Sequence, residues 1–433
     1  MLRLRFLFII LPALAAGCSH PDGKATVITQ PPAPETVTID LATDLGPLEG
    51  HTVSLLRPSS ANPPDALLAP LRPLSIDRIP TLVTLGESVK FDGRFPGDKK
   101  DWTKWDQGVE KLVRQNKAAA KPVEYEIWNE PDRAANFKGS QADFFSIWVH
   151  TARLIRSIDP EAPLVGPSIS KHDHPWTQEF LKIGKEFDVP TTIVCWHENT
   201  PKPDLPGHIN GVGEAFWQDG TDRASIRILP SNGMDRQYNP ADPILFLAPL
   251  QQAYRETRFR GIDERLGIKL HHLFARDGAP RSLYYAYSSY AALITRGGRA
   301  AKVSSSKTVD GLATWDAPAR TARLLLARNH VRAATTQPTP GQAPANQLGP
   351  LTLLLKNLSG ATAHITYSTI TNSGEQAFTP SAAVESDLPI VHRELRLPLT
   401  EMASGQVYVM ELKVTGTPAT TQASTQSTVQ SGK

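Results

Sequence analysis

From about residue 100 the chain alternates two periodicities. Trp102, Trp105, Val109, Leu112 and Val113 recur at helical spacing. Val123-Glu124-Tyr125-Glu126-Ile127-Trp128 then alternates as a strand does. Ser140 reads as an N-cap with Asp143 three places on, and Phe144, Trp148, Ala152 and Ile155 give the following helix one apolar face. Asp159-Pro160 ends it. The same rhythm continues: a strand at 164–166, a helix over 176–187, a strand at 191–196, a helix around Ile209, Val212 and Phe216, and a strand at 224–229. A helix over 245–258, a strand at 268–274 and a helix over 284–294 complete it. Residues 52–56 and 77–85 are candidate strands further upstream.

Strands alternating with helices predict a parallel sheet with helical crossovers. No glycine-rich nucleotide loop follows a strand, which favours a closed (β/α)8 TIM barrel over an open doubly wound sheet within the α/β class. After about residue 303 the texture changes. Strand-like runs at 312–315, 321–328, 351–355, 364–369, 394–399 and 406–412 have no helices between them and predict a small antiparallel β-sandwich. Residues 333–350, rich in Pro, Thr and Gln, read as a long loop within it. The barrel is expected over 37–302, the sandwich over 303–414 and a disordered Thr/Ser/Gln-rich tail over 415–433.

The N-terminus adds a compartment. Arg3 and Arg5 precede an apolar run from Phe6 to Ala16, which is of signal-peptide length and too short to span a bilayer. Leu14-Ala15-Ala16-Gly17-Cys18 resembles a bacterial lipobox, with Cys18 as the lipidated residue; Ala15 stands where Leu is usual. Residues 1–18 are therefore expected to be a signal peptide and 19–36, with Pro31, Pro32 and Pro34, a flexible tether. The expected setting is the bacterial cell envelope, lipid-anchored at the periplasmic or outer surface, with secretion as the alternative. The lipid is the only membrane attachment expected. The other cysteine, Cys195, sits in the apolar run 192–196 and reads as a buried small hydrophobe. The balance of 46 basic and 43 acidic residues, net +3, gives no reason to expect a nucleic-acid partner.

The segment Glu126-Ile127-Trp128-Asn129-Glu130-Pro131 carries the chemistry. A carboxylate at the end of a barrel strand points into the mouth built by the βα loops. Asn129 beside it can hydrogen-bond a sugar hydroxyl, and Pro131 fixes the turn. Glycoside hydrolysis needs a protonated acid at the leaving oxygen and a second carboxylate nearby.

Residues 105–168 resemble the clan A glycoside hydrolases, most closely glycoside hydrolase family 39. The shared text is 126–132, Phe137-Lys138-Gly139-Ser140, Asp143-Phe144, Thr151-Ala152, Ile155, Asp159-Pro160 and Leu164-Val165-Gly166-Pro167. Gly278-Ala279-Pro280 before Tyr284 and Tyr285 looks like the last βα unit of that family, and the trailing sandwich resembles its accessory domain. The resemblance implies a carbohydrate substrate, no cofactor and no metal, with Glu130 as general acid/base and Asn129 on the sugar. It implies a nucleophilic Glu after the seventh strand. The matching strand, 224–229, runs instead into Pro230-Ser231-Asn232-Gly233, so Ser231 and Asn232 occupy a degenerate nucleophile position.

Glu198, in Trp196-His197-Glu198-Asn199, ranks first as substitute; His197 matches the His of the family and Asn199 replaces its Tyr. Glu214 falls on a predicted helix, where a solvated face is the plainer reading, and Asp235 is a third candidate. Trp196, His197 and Arg78 are taken as substrate-binding, Arg78 by its match to a second-strand Arg of the clan. His172-Asp173-His174 could hold substrate or, with a third ligand, a metal; none is spaced for it. Trp176, Trp217 and Tyr238 could stack on sugar or sit in the core, and His271-His272 has no role assigned. Two functions are consistent with this pattern: a hydrolase of O-glycosidic bonds in an oligo- or polysaccharide, or a non-catalytic carbohydrate-binding or scaffolding lipoprotein whose barrel has lost its nucleophile.

Overall fold

A computed structural model of the chain describes residues 33–48, 55–56, 65–74, 81–120, 122–198, 204–219, 225–230, 239–256, 262–263, 268–329, 348–399 and 402–417. The signal-like segment, Cys18, nearly all of the tether, most of the Pro/Thr/Gln loop and the tail beyond 417 lie outside them. Among the described residues no helix is long and apolar enough to cross a membrane.

After β1 (Glu35–Asp40) come the short strand β2 (Leu55–Leu56) and six mutually parallel strands: β3 (Thr81–Thr84), β4 (Val123–Glu126), β5 (Leu164–Ile169), β6 (Ile193–Glu198), β7 (Ser225–Pro230) and β8 (Ile262–Asp263). They lie side by side in chain order. β9 (Ile268–Lys269) pairs in parallel with β2, so the first parallel strand joins the last. Helices follow the strands as crossovers, among them Gln141–Ile158, His174–Glu186, Leu205–Asp219 and Ala241–Glu256. The expected start of the first is a capping box: the Ser140 hydroxyl accepts from the Asp143 amide, and the Asp143 carboxylate accepts from the Ser140 amide. Its buried face carries Phe144, Trp148, Ala152 and Ile155, as the spacing predicts. The strand expected over 268–274 is shorter: after Lys269 the chain turns into the helix Leu270–Leu273.

Alternation along the strands divides their side chains between two compartments. Tyr125, Leu164, Val194, Trp196, Ile226 and Ile228 join the large core under the helices. Val165, Ile193 and Cys195, with Leu82 against them, form a separate cluster on the other, inner face. Cys195 is thus the buried hydrophobe the sequence suggests. Arg227 on β7 is the register partner of Cys195 and shares the inner face. It pairs at 2.9 Å with Glu124 on β4. These strands are three positions apart, about 14 Å on a flat sheet. The two side chains meet because the sheet curls inward on itself.

The C-terminal part packs two sheets face to face. One holds β10 (Arg299–Ala300), β12 (Val309–Asp316), β13 (Thr321–Arg328), β18 (Val407–Thr415), β15 (Thr362–Ile370) and β16 (Val384–Pro389). The other has the order β11 (Lys302–Ser304), β1, β14 (Leu351–Lys356) and β17 (Glu394–Pro398). Val37 and Ile39 of β1 pack with Leu324, Leu326, Leu353, Leu355 and Leu412 between them. The sequence assigns residues 35 and 36 to a tether and 37–40 to the barrel. They form instead an inner strand of the sandwich, and its pairing with β14 is parallel, an exception in an otherwise antiparallel module. Nothing local in six alternating residues identifies a partner more than 300 positions away. The outer face of the six-stranded sheet contributes Leu312, Leu325, Ala327, Ile370 and Val407 to the core under the helices, so the two parts share apolar packing.

Candidate active site

Glu130 lies four residues beyond the end of β4. Its backbone is left-handed (φ 50°), as is that of Ser168 (φ 56°), and the Glu130 amide donates to the Ser168 carbonyl at 2.9 Å. Side-chain-bearing residues rarely adopt this conformation, and such positions persist where surrounding contacts impose them. Ser168 sits where the β5–β6 register shifts. Asp132 ties the same two loops together, accepting from the Ser170 amide at 2.8 Å and its hydroxyl at 2.6 Å. Close packing supports the platform: a Cβ on Gly166 would fall 2.4 Å from the Trp148 ring.

Three donors converge on the buried Glu130 carboxylate. His197 Nδ1 lies 3.0 Å from Oε1, Asn136 Nδ2 donates to Oε2 at 2.7 Å, and Arg133 Nη1 donates to Oε2 at 3.1 Å. The His197 hydrogen bond, chiefly, and the charges of His197 and Arg133 hold the carboxyl down at about 2 against the opposing effect of burial. Glu130 is therefore ionised in this arrangement. Beneath it, on the inner face of β4, Glu126 is fully buried and accepts from Thr84 Oγ1 at 2.5 Å. Burial pushes its carboxyl up, while the Thr84 and Ser168 hydroxyls and His197 act in the other direction.

His197, expected to bind substrate, reaches Glu130, but Glu198 and Trp196 do not join them. Neighbouring residues on a strand point to opposite faces. His197 faces inward; Trp196 and Glu198 face the helices. Trp196 is fully buried there and donates to Glu198 Oε2 at 3.4 Å. Glu198 Oε2 is also 2.9 Å from His208 Nδ1, on the helix Leu205–Asp219. His208 stacks on His172 with ring centroids 4.0 Å apart, and burial pushes His172 down to about 4. Glu198, the expected second carboxylate, and Trp196, the expected sugar contact, lie instead together with His208 in a polar knot on the helix side of the sheet.

Asn129 is part-exposed beside Glu130. Glu214 is exposed on its helix, the plainer of its two readings. Trp176 packs among Phe144, Phe145 and Phe180 as a core aromatic. Among the described residues no His, Cys, Asp and Glu group could hold a metal ion. Arg78, Ser231, Asn232, Asp235 and Tyr238 lie outside the described residues, as do the side chains of Trp217 and His271. Sequence reading missed Arg133, Asn136, Ser168 and His208. Arg133 and Asn136 follow Glu130 at turn-closing intervals, which is the only local sign of their role. Ser168 and His208 come from other elements and leave none.

The family model described as Glycosyl hydrolases family 39 matches residues 69–210, and the chain resembles that family over this stretch. A beta-xylosidase from Geobacillus stearothermophilus is 29% identical over 109 residues, which span 24% of this chain and only 22% of that enzyme. The solved structure of N2152 from Neocallimastix frontalis superposes with a TM-score of 0.61 at 18% identity, covering 88% of this chain and all of that one. The structure of BuGH86wt in complex with neoagarooctaose gives a TM-score of 0.51 at 11% identity, covering 88% of this chain and 79% of the other. At such identities these likenesses are of fold alone.

Proposed function

We propose that this chain, similar over residues 69–210 to family 39 glycosyl hydrolases, is a glycosidase that cleaves O-glycosidic bonds with Glu130 as general acid/base. The observation that carries the reading is a buried carboxylate after a parallel strand, fixed by donors from its own loop and from β6. A closed eight-stranded barrel accompanies it. The β2·β9 pairing and the Glu124–Arg227 contact across the inner face support closure.

In this reading Glu130 must take up a proton before it can deliver one to the leaving oxygen. The resting contacts oppose that, so a ligand has to loosen them, Arg133 most readily because it is 56% exposed. The second carboxylate has one sequence candidate left, Asp235 after β7, since Glu198 faces the helices and Glu214 faces solvent. A second reading, sugar binding without hydrolysis, draws on the Pro230-Ser231-Asn232-Gly233 text, which lacks the expected Glu.

The test is hydrolysis of a panel of aryl glycosides, beginning with aryl β-xylosides because a beta-xylosidase is among the relatives, by wild type and Glu130→Gln. A loss of about 100-fold or more is expected for loss of general acid/base catalysis. Equal rates would sink the role of Glu130. Binding of glycosides without turnover would favour the second reading.

A further inference from the structure

We propose that Asn136 is a positioning residue for the acid/base group: its side-chain amide rotates as Glu130 changes protonation state, donating to the carboxylate and accepting from the acid, and so keeps the proton on Oε2. This role rests on the reading of Glu130 as general acid/base and adds how its proton is held.

The two carboxylate oxygens of Glu130 meet different partners. Oε1 faces His197 Nδ1 at 3.0 Å. An Nδ1–H donates to that oxygen in the charged imidazole and in one neutral tautomer alike, so Oε1 is occupied in either charge state. The catalytic proton then belongs on Oε2. There Asn136 Nδ2 lies at 2.7 Å and Arg133 Nη1 at 3.1 Å. A guanidinium has donors only and stays charged. Arg133 therefore opposes protonation and has to withdraw from Oε2, which its 56% exposure allows. A carboxamide carries a donor and an acceptor at nearly equal reach. Half a turn about its last side-chain bond puts Oδ1 where Nδ2 was, ready to accept from Oε2–H. Glu130 takes that proton from water and later gives it to the leaving oxygen, and Asn136 forms no covalent bond in either step.

The loop holds the backbone of Asn136 still and leaves its amide able to turn. Its carbonyl accepts from the Trp128 indole at 3.2 Å, and its backbone N–H donates to the Arg133 carbonyl at 2.8 Å. The next residue, Phe137, is buried with its ring edge-to-face against Trp128, centroids 5.3 Å apart. Trp128 thus acts on Glu130 through Asn136. Asn136 itself is exposed, so water serves whichever end of the amide faces away from Glu130.

A fixed donor and a rotating amide differ in one measurable respect. A fixed donor favours the carboxylate alone, and its loss raises the pKa of Glu130. An amide that serves both forms holds them nearly equally. Its loss leaves the pKa nearly in place while the acid loses its alignment.

The experiment measures kcat/KM against pH for the full-length wild type, Asn136→Ala and the isosteric Asn136→Leu, with melting temperatures to confirm folding. The substrates are phenyl and dinitrophenyl glycosides of the sugar the wild type cleaves. Phenol leaves poorly without a proton, whereas dinitrophenol needs little help from an acid. Both variants should lose about tenfold on the phenyl glycoside, as expected for one hydrogen bond, and clearly less on the dinitrophenyl glycoside. Their basic limb should stay in place. A limb moved upward by about one pH unit, the size expected for loss of a bond to a charged group, would make the amide a fixed donor and the proposal wrong. Equal losses on the two substrates, or none, would make Asn136 a purely structural residue and overturn it as well. Any of these results leaves the glycosidase reading standing, because that reading is decided by Glu130→Gln. A wild type that cleaves no glycoside removes both.

Discussion

Glu130 shows how much a few donors can change one side chain. A glutamate in a general-acid role needs a raised pKa, yet here His197, Asn136 and Arg133 stabilise its charged form. Because the folded pKa is depressed to about 2 from an ordinary 4.5, the contribution to stability is present above about 4.5 and is lost as pH falls through 2. Arg133 is the removable part. In Arg133→Met the Glu130 carboxyl should titrate at a higher pH by carbon-13 NMR, and the basic limb of kcat/KM should move upward with it. An unchanged titration would mean that Arg133 is a rim charge without influence on the site. Sequence made Glu130 visible through its motif. It could not show the donors, because side-chain convergence is a property of space and only Arg133 and Asn136 are near in the chain.

At the scale of the element, β6 teaches the most. The sequence places Trp196, His197 and Glu198 at a strand end and all three were reasonable site residues. The period of two allows only alternate residues to face inward. Once His197 contacts Glu130, its neighbours must face the helices. Glu198→Gln should therefore keep kcat/KM for any substrate of the wild type within about twofold. It should also lower stability by about 1 kcal/mol through a weakened His208 contact, measured by chemical denaturation. A loss of activity of 100-fold or more with unchanged melting would return Glu198 to the catalytic machinery. The helices were more legible than the strand faces. The capping box at Ser140 and the apolar stripe after it are local patterns, and the structure realises both.

At the scale of the molecule, the Glu124–Arg227 pair is a buried ion pair between strands that are not neighbours. Removing one charge takes a buried partner from the other, whereas removing both relieves the desolvation cost. Glu124→Leu alone should destabilise the protein by about 3–5 kcal/mol, and the double Glu124→Leu/Arg227→Leu variant should recover most of that loss. Additive losses in equilibrium unfolding would show that the two residues act separately, and would withdraw this support for a curled sheet. The sandwich makes a related point. It is completed by β1, which precedes the parallel strands in sequence and lies between β11 and β14 in space.

The sequence by itself determined what local physics can encode. It specified the alternation of strand and helix, the change to strands after residue 303, the caps and breaks of individual helices, and a carboxylate placed after a strand in a motif with a sugar-cleaving precedent. Tertiary structure alone decided which side of β6 faces Glu130, which donors hold it ionised, and that residues 35–40 belong to the sandwich. The physical reason is the range of the forces involved. Periodicity and capping act over one turn or one strand, whereas ionisation, pairing and the orientation of a strand face depend on groups brought together from distant parts of the chain.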